Sequence, residues 1–563
     1  MSSTQTEHTF LKGPTDWWRQ AVVYQIYPRS FADANGDGIG DLAGITSRIG
    51  YLKKLGVDAV WMSPFYPSAL ADGGYDVDDY RNVDPRIGTL DEFDAMLNEF
   101  HRNGIRIIVD IVPNHSGSGH EWFQAAIKSA PGSAERARYI FRDGKGENGE
   151  IRPSELHSHF GPTGWTHESE MGGTGNQWYL HLFAKEQPDF NWDNPEVRED
   201  FEKTIKFWCD RGVDGFRIDV AHAMIKDMSN GKLPVRHRFD AAYIKDNGLD
   251  DLFDRDEIHD IYKSWRKIFN QYDPPRMGVA EANVQSHRLA RYASEEGLGQ
   301  SFNFDMMHVG WNFKKVKHLA KYHLEQSAKT GSSTTWVLSN HDSVRHATRF
   351  GHPDVQDFSI WYGKNRHNPG TDTDLGLARA KAMTMLLLAL PGSTYMYQGE
   401  ELGLPEVFDI PDDQMQDPQF ARNPEQGLSR DGCRVPLPWT KSGSSFGFGP
   451  GGAHLPQPAW YANYSVEAEE LNQHSPLNFY RRALELRREV LQGEKLEWIE
   501  SKNPFTQIFG NKNVMHFLRT GGWRCITNFG SRPIKLPAGE VLLASGALID
   551  GKLPGSTTVW IRG

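Results

Sequence analysis

The apolar positions of this chain switch repeatedly between two periods. Residues 21–27 form an almost unbroken β-branched and aromatic run that Pro28 ends, as a buried strand would. Leu42, Ile45, Ile49, Leu52 and Leu55 then recur at helical spacing and stop at Gly56, and residues 57–62 return to a strand-like run. A second cycle follows at once. Thr89-Leu90-Asp91-Glu92 carries the side chains of a capping box, Phe93, Met96, Leu97 and Phe100 line one helix face, and residues 105–112 read as a third strand.

Residues 116–194 break the rhythm with Gly, Pro, His and Trp and no helical period of any length, which predicts a loop-rich inserted domain. The alternation resumes with a helix through Val197, Phe201, Ile205 and Trp208 and a strand at 215–220. It pauses over a second, polar insertion at about 221–254. Strands at 277–281, 301–307, 335–342 and 393–400, with helices at 258–269, 375–390 and 477–490, bring the count to eight strands. So long an alternation predicts an α/β fold, a closed (β/α)8 TIM barrel, drawn from residues 1–115 and 195–490. From 491 to 563 the pattern changes to short strands between Gly and Pro, as in a small C-terminal antiparallel β domain.

Composition removes several classes of function. The net charge of −11 comes from interspersed charges, which leaves no electrostatic case for nucleic acid or an anionic membrane as partner. Cys209, Cys433 and Cys525, odd in number and far apart, provide neither a disulfide framework nor a C-x-x-C metal site. The N-terminal residues lack a signal-peptide core, and the longest apolar run, 382–390, is too short to span a bilayer. A soluble cytoplasmic protein is expected. The 17 Trp, 19 Tyr and 30 Phe suit the stacking of sugar faces, and equally the filling of a core.

In a parallel barrel every strand ends at the same face, so Asp110, His115, Asp219, Glu281, His341 and Asp342 are expected at one mouth. Arg217 and Asp219 alternate with Phe216, Ile218 and Val220 and therefore share a side of their strand. The guanidinium would keep Asp219 ionised, the state a nucleophile needs. Glu281, with no basic neighbour in sequence, is the expected protonated acid. Two carboxyl groups about 5–5.5 Å apart, with opposed protonation, are the equipment of a retaining glycosidase. Taken singly, each is more readily an ordinary rim ion pair; their recurrence at successive strand ends reverses that.

Between the first strand and helix, Asp33, Asn35, Asp37 and Asp41 place oxygen ligands at alternate positions, with Ile39 among them and Gly38 for the sharp turn. Gly44 stands where an EF-hand has its bidentate Glu, so Asp41 has to compensate. The two readings are a structural Ca²⁺ site, with Mg²⁺ as second choice, and an Asx-rich turn held by its own side chains.

Asp110-Ile111-Val112-Pro113-Asn114-His115, Gly215-Phe216-Arg217-Ile218-Asp219, the Glu281 strand and Ser339-Asn340-His341-Asp342 resemble, in order and spacing, the four conserved regions of the α-amylase superfamily, glycoside hydrolase family 13. Gln187-Pro188-Asp189-Phe190-Asn191-Trp192 is similar to the fifth region of its α-glucosidases and oligo-1,6-glucosidases. The resemblance implies a barrel with a domain inserted after its third strand and a C-terminal β domain. It implies Asp219 as nucleophile, Glu281 as general acid/base and Asp342 as the carboxylate that holds the sugar's secondary hydroxyls. His115, Arg217 and His341 match sugar- and carboxylate-binding positions, and Phe183 a pocket wall. Asp72-Gly73-Gly74-Tyr75 looks like the stretch whose Asp binds the non-reducing end and whose Tyr stacks on the ring. Residues 430–434 resemble the region supplying an Arg partner for that Asp, and an Asp72–Arg434 bridge would close the pocket behind one glucose. Loop 33–41 resembles the subgroup's metal loop, remote from the chemistry.

The chain departs from the family at Ala280, where many relatives have Gly, and at Val435-Pro436-Leu437, where many have Thr-Pro-Met. Val220, after the nucleophile, resembles enzymes that accept α-1,6 bonds. The expected activity is a retaining exo-α-glucosidase on maltose, isomaltose and short oligosaccharides, with sucrose and aryl glucosides as further candidates. The alternatives are a transglucosylase or a sucrose/trehalose-type isomerase using the same intermediate, and a carbohydrate-binding relative without activity. Filled catalytic positions disfavour the last.

Overall fold

The computed structural model describes residues 10–228, 241–352, 370–500 and 513–563. Eight parallel strands close into a barrel in sequence order. They are β1 (Val22–Ile26), β2 (Ala59–Met62), β3 (Arg106–Ile111), β4 (Gly215–Ile218), β5 (Met277–Ala280), β6 (Gly299–Asn303), β7 (Thr335–Val337) and β8 (Ser393–Tyr397). β8 returns to β1 in the register Val22↔Thr394 to Gln25↔Tyr397. Every residue of the eight is buried. Helices cover the outer face and side chains fill the inner one, which is why the strands read as nearly continuous apolar runs.

The expected local signals operate. Thr89 and Glu92 form the reciprocal capping box of helix Leu90–Arg102, and Asn194 caps helix Pro195–Asp210, whose Pro sits in the first turn. Two strand expectations need correction. The sixth strand does not continue to residue 307: the Asn303 side chain accepts the Met306 N–H and starts helix Phe304–His308. The seventh ends at Val337, and residues 338–342 leave the sheet as a loop.

The inserted segment after β3 is better ordered than its composition suggests. It holds helix Glu121–Lys128, too short for a legible period, and a three-stranded antiparallel sheet in the order Phe141–Asp143, Gln177–Leu180, Trp165–His167. It is fastened to the barrel mouth from within. Lys226 Nζ lies 3.0 Å from Asp189 Oδ2 and donates to Asn114 Oδ1 at 2.8 Å, all three side chains being buried. Of the second insertion, residues 229–240 lie outside the described residues, as do residues 1–9 of the N-terminal arm. Its described part contributes Ile244, Leu252 and Phe253 to an apolar cluster with Leu156, Trp165, Leu180, Val220 and Ala223, so the two insertions share a core above β4.

The C-terminal sheet runs Leu496–Trp498, Val514–Arg519, Trp523–Asn528, Thr557–Arg562, Glu540–Ala544, all antiparallel. It docks on helix Thr373–Ala389. Thr558 Oγ1 donates to Ala382 O at 2.7 Å and Trp560 Nε1 to Met385 O at 3.2 Å. With the barrel on one side and this sheet on the other, the second half of that helix has no solvent face and needs no polar stripe.

Candidate active site

Parallel registry sets Asp110 of β3 beside Arg217 of β4, and both point into the barrel mouth. Phe216 faces outward, stacked on Phe269 with ring centroids 5.6 Å apart. Arg217 is the hub of the mouth. Its Nη1 lies 2.9 Å from Asp110 Oδ1 and 2.6 Å from Asp219 Oδ1, and its Nη2 lies 2.6 Å from Glu281 Oε2. The expectation that Arg217 would single out Asp219, leaving Glu281 without a basic neighbour, is therefore corrected. β5 brings Glu281 onto the other end of the same guanidinium, 64 residues further along the chain than sequence proximity could show.

Three carboxyl groups on one guanidinium cannot all be ionised cheaply in a dry site. Burial pushes Asp219 well above the usual carboxylate range, Arg217 opposes this, and Glu281 and Asp110 push it further. Burial likewise raises Asp110 to about 7 against the pull of Arg217. Asp219 and Glu281 are hydrogen-bonded to each other, and the contact adds to the upward push on Asp219.

Asp110 is held further by Tyr75 Oη, which donates to its Oδ2 at 3.0 Å, and by Trp61 Nε1 at 3.3 Å. Tyr75 stacks on His341 with centroids 5.2 Å apart and planes 2° from parallel, and Tyr27 stacks near the same ring at 5.7 Å. Gln25 Nε2 donates to His341 Nδ1 at 2.7 Å, which leaves the ring proton on Nε2, 3.2 Å from Asp342 Oδ2. Burial lowers His341 to about 3 and His115 to about 3, so both are neutral. His115 Nε2 lies 3.2 Å from the Tyr75 carbonyl, and its ring meets Phe183 at 5.2 Å.

The outer end of the site is organised by Arg430. Its Nη2 lies 2.7 Å from Asp72 Oδ1 and 2.8 Å from Asp417 Oδ1, and its Nη1 lies 3.1 Å from Asp342 Oδ1. The expected Asp72–Arg434 bridge is corrected on this point. Arg434 instead reaches Asp342 Oδ1 at 2.8 Å and the His341 carbonyl at 2.8 Å. Burial raises Asp342, but His341, Arg430 and Arg434 outweigh it and hold the carboxyl well below its ordinary value.

Asp72, Tyr75, His115, Phe183, Asp219, Glu281, Asp342 and Arg430 all line one cavity of about 390 Å³, the scale of a small-molecule site. A larger depression of about 750 Å³ on the inserted domain contains none of these carboxylates. Arg217, His341 and Arg434 stand behind the cavity wall. Residues 33–41 are far along the chain path, in the β1 connection, and form no part of it.

Three contributors carry weaker signals in the sequence, or none. Arg430 lies inside the 430–434 segment, and Gln187, which donates to Asp72 Oδ2 at 3.3 Å, opens the fifth motif. Asp417 had no signal, because its role is to anchor Arg430 from a separate loop.

In loop 33–41 the side chains close backbone turns. Asp33 accepts the N–H groups of Gly36 and Gly38, Asp41 those of Ala34, Asn35 and Gly44, and Asp37 that of Ile39. Among the described residues no three His, Cys, Asp or Glu side chains gather as a metal cage. The donor set is nonetheless all oxygen, and most of these oxygens hold a single N–H, so the chemistry of the loop fits a hard cation sharing them.

The family model for the alpha amylase catalytic domain matches residues 25–493. A probable alpha-glucosidase of Rhizobium meliloti (strain 1021) is 34% identical over 538 residues, covering 91% of each chain. An oligo-1,6-glucosidase of Parageobacillus thermoglucosidasius is 32% identical over 555 residues, covering 92% of this chain and 91% of its own. Among solved structures, the alpha-glucosyl transfer enzyme XgtA superposes with a TM-score of 0.79 at 31% identity, over 97% of this chain and 99% of that one.

Proposed function

The chain belongs to the α-amylase family of glycoside hydrolases, and from that premise we propose that it is a retaining, exo-acting α-glucosidase that removes terminal glucose from short α-1,4 or α-1,6 glucosides. The observation that carries this is the single guanidinium of Arg217 shared by Asp110, Asp219 and Glu281 at the floor of the cavity. Asp219 attacks the anomeric carbon while Glu281 gives its proton to the departing oxygen. Glu281 then takes a proton from water, whose oxygen displaces Asp219 and restores the α configuration. Tyr75 and Phe183 are the apolar walls for the ring and His115 is a neutral donor to its hydroxyls; His341, expected to bind sugar directly, instead backs Tyr75 and turns its Nε2 toward Asp342. Asp72 and Asp342, held by Arg430 and Arg434, bind the non-reducing end, and their ion-pair network blocks the chain path beyond one sugar.

The test is proton NMR of the first product from maltose and from isomaltose. α-Glucose appearing before mutarotation supports the reading; β-glucose, or release of internal fragments from longer oligosaccharides, removes it.

A second reading keeps the glucosyl-enzyme and passes it to a sugar. Phe160, Phe183, Val220, Phe304 and Met307 in the cavity wall favour an acceptor with an apolar face over water, and the likeness to a glucosyl transfer enzyme agrees. The ratio of free glucose to transfer product at high substrate separates the two.

Loop 33–41 is assigned one structural cation, Ca²⁺ before Mg²⁺, held by Asp33, Asn35, Asp37, Asp41 and the Ile39 carbonyl. Residence in the cytoplasm is supported by three buried free thiols. Among the described residues no helix is long and apolar enough to cross a membrane.

A further inference from the structure

The turn that follows Asp219 stores a conformation the scheme above does not use. Val220 has φ +42°, the left-handed region that a β-branched residue rarely enters and holds only when its surroundings impose it. The surroundings here do so. Asp219 N donates to Ile111 O at 2.8 Å, Ala221 N to Glu281 O at 2.8 Å, and Glu281 N to Ile218 O at 3.0 Å, so both neighbours of Val220 are pinned to adjacent strands. The Val220 side chain is buried in the apolar cluster with Ala223, Leu252 and Phe253.

The result is a directed N–H. Val220 N lies 3.1 Å from Glu281 Oε2, the oxygen already 2.6 Å from Arg217 Nη2. Two donors converge on Oε2, and a proton carried by that oxygen would face both of them.

We propose that Val220 is a positioning residue for the acid/base: its left-handed backbone holds its N–H on Glu281 Oε2 and so confines the transferable proton to Oε1. The inference rests on the α-glucosidase reading. In the first step the Oε1–H bond breaks as the proton passes to the glycosidic oxygen, leaving Glu281 ionised with both Oε2 donors in place. In the second, Oε1 takes the proton of the attacking water. A donor on the carboxylate favours the ionised form, so its loss raises the pKa of the acid.

The test replaces Val220 in the full chain by its ester analogue, α-hydroxyisovaleric acid, which keeps the side chain and removes only the N–H. Rates are read on a disaccharide, whose leaving group needs a proton, and on an activated aryl α-glucoside, whose leaving group does not. Expected is a loss of about tenfold to a hundredfold in kcat/KM on the disaccharide relative to the aryl glucoside, with the basic limb of the pH profile moved upward. Val220→Gly keeps the N–H and adopts this φ freely; it is expected to change both substrates in parallel and leave the limb where it was. An ester analogue with unchanged ratio and limb, or a Val220→Gly variant with the selective loss, overturns the proposal. Should the ester analogue fail to fold, the amide proton resonance of Val220 decides: it is expected to move as Glu281 titrates and to lose that movement in Glu281→Gln, and a resonance that does not move overturns the proposal. A parent enzyme that cleaves neither substrate, or releases β-glucose, removes the α-glucosidase reading itself instead.

Discussion

Asp219 and Asp342 are the same residue type, both on segments that leave the barrel at its mouth, and they line one cavity. Burial pushes both carboxyls upward, yet they finish on opposite sides of the ordinary range. The difference is the local supply of cations. At the floor, one guanidinium serves Asp110, Asp219 and Glu281; at the outer end, Arg430 and Arg434 both reach Asp342, with His341 alongside. Burial acts on both and therefore does not separate them; the number of cations set against it does. A cation-poor floor raises Asp110 and Asp219, and a cation-rich outer end keeps Asp342 ionised.

The sharpest way to break this comparison is to delete a floor carboxylate. Asp219→Ala is expected to lower turnover of maltose and isomaltose by about 10⁴-fold or more, with a melting temperature at or above the parent's because a costly buried acid has gone. A variant of near-parental rate would contradict the assignment. Glu281→Gln is expected to fail on disaccharides and to retain more of the glucosyl-forming step on an activated aryl glucoside. Azide should then restore turnover and give the α-glucosyl azide; a β-azide would mean single displacement.

Next in size is the outer end. Arg430→Ala leaves Asp72, Asp342 and Asp417 without a shared partner, and a rise in KM of about tenfold to a hundredfold is expected, as for a lost hydrogen bond to a charged group. Arg434→Ala should cost less, since of these three carboxylates it contacts Asp342. Against burial, Arg430 holds Asp417 down to about 2. A depressed carboxyl contributes stability that is present above the unfolded pKa, about 3.9, and lost as the pH falls toward 2. Arg430→Ala should forfeit that contribution at neutral pH and flatten the acid arm of a melting-temperature profile, while Arg434→Ala should preserve most of it.

A smaller effect concerns a raised carboxyl away from the mouth. Burial pushes Glu469 up to about 9, with its Oε2 accepting the Leu477 N–H at 2.8 Å. The sign is opposite to that of Asp417: the cost is absent below the unfolded pKa and grows as the pH rises to the folded one. Glu469→Gln is expected to raise the melting temperature at pH 8–9 by a few degrees and to change it little at pH 4. The smallest expected effect is that of chelation, which should lower the melting temperature by a few degrees without slowing the protein that remains folded. Immediate loss of turnover without a thermal shift would make the cation catalytic.

The sequence by itself determined whatever is set over one or two turns of chain. The change of period marked all eight barrel strands and six helices, though not Ser286–Tyr292 or Phe313–Thr330; Thr89 and Glu92 marked a helix start, and the Asp110, Asp219, Glu281 and Asp342 segments marked the mouth, because each strand end is a local feature and parallel closure sends all of them to one face. Tertiary structure alone decided the pairings. Arg430 and Arg434 stand four residues apart about one short helical turn, so both project toward the same side, and only the placement of loops 358 residues apart in sequence gives Asp72 to Arg430. The second end of Arg217 met Glu281 for the same reason. The end of β6 at Asn303 and the left-handed Val220 were likewise invisible in the pattern: a side-chain cap competes with strand continuation at similar free energy, and a strained φ exists only where pinned neighbours impose it.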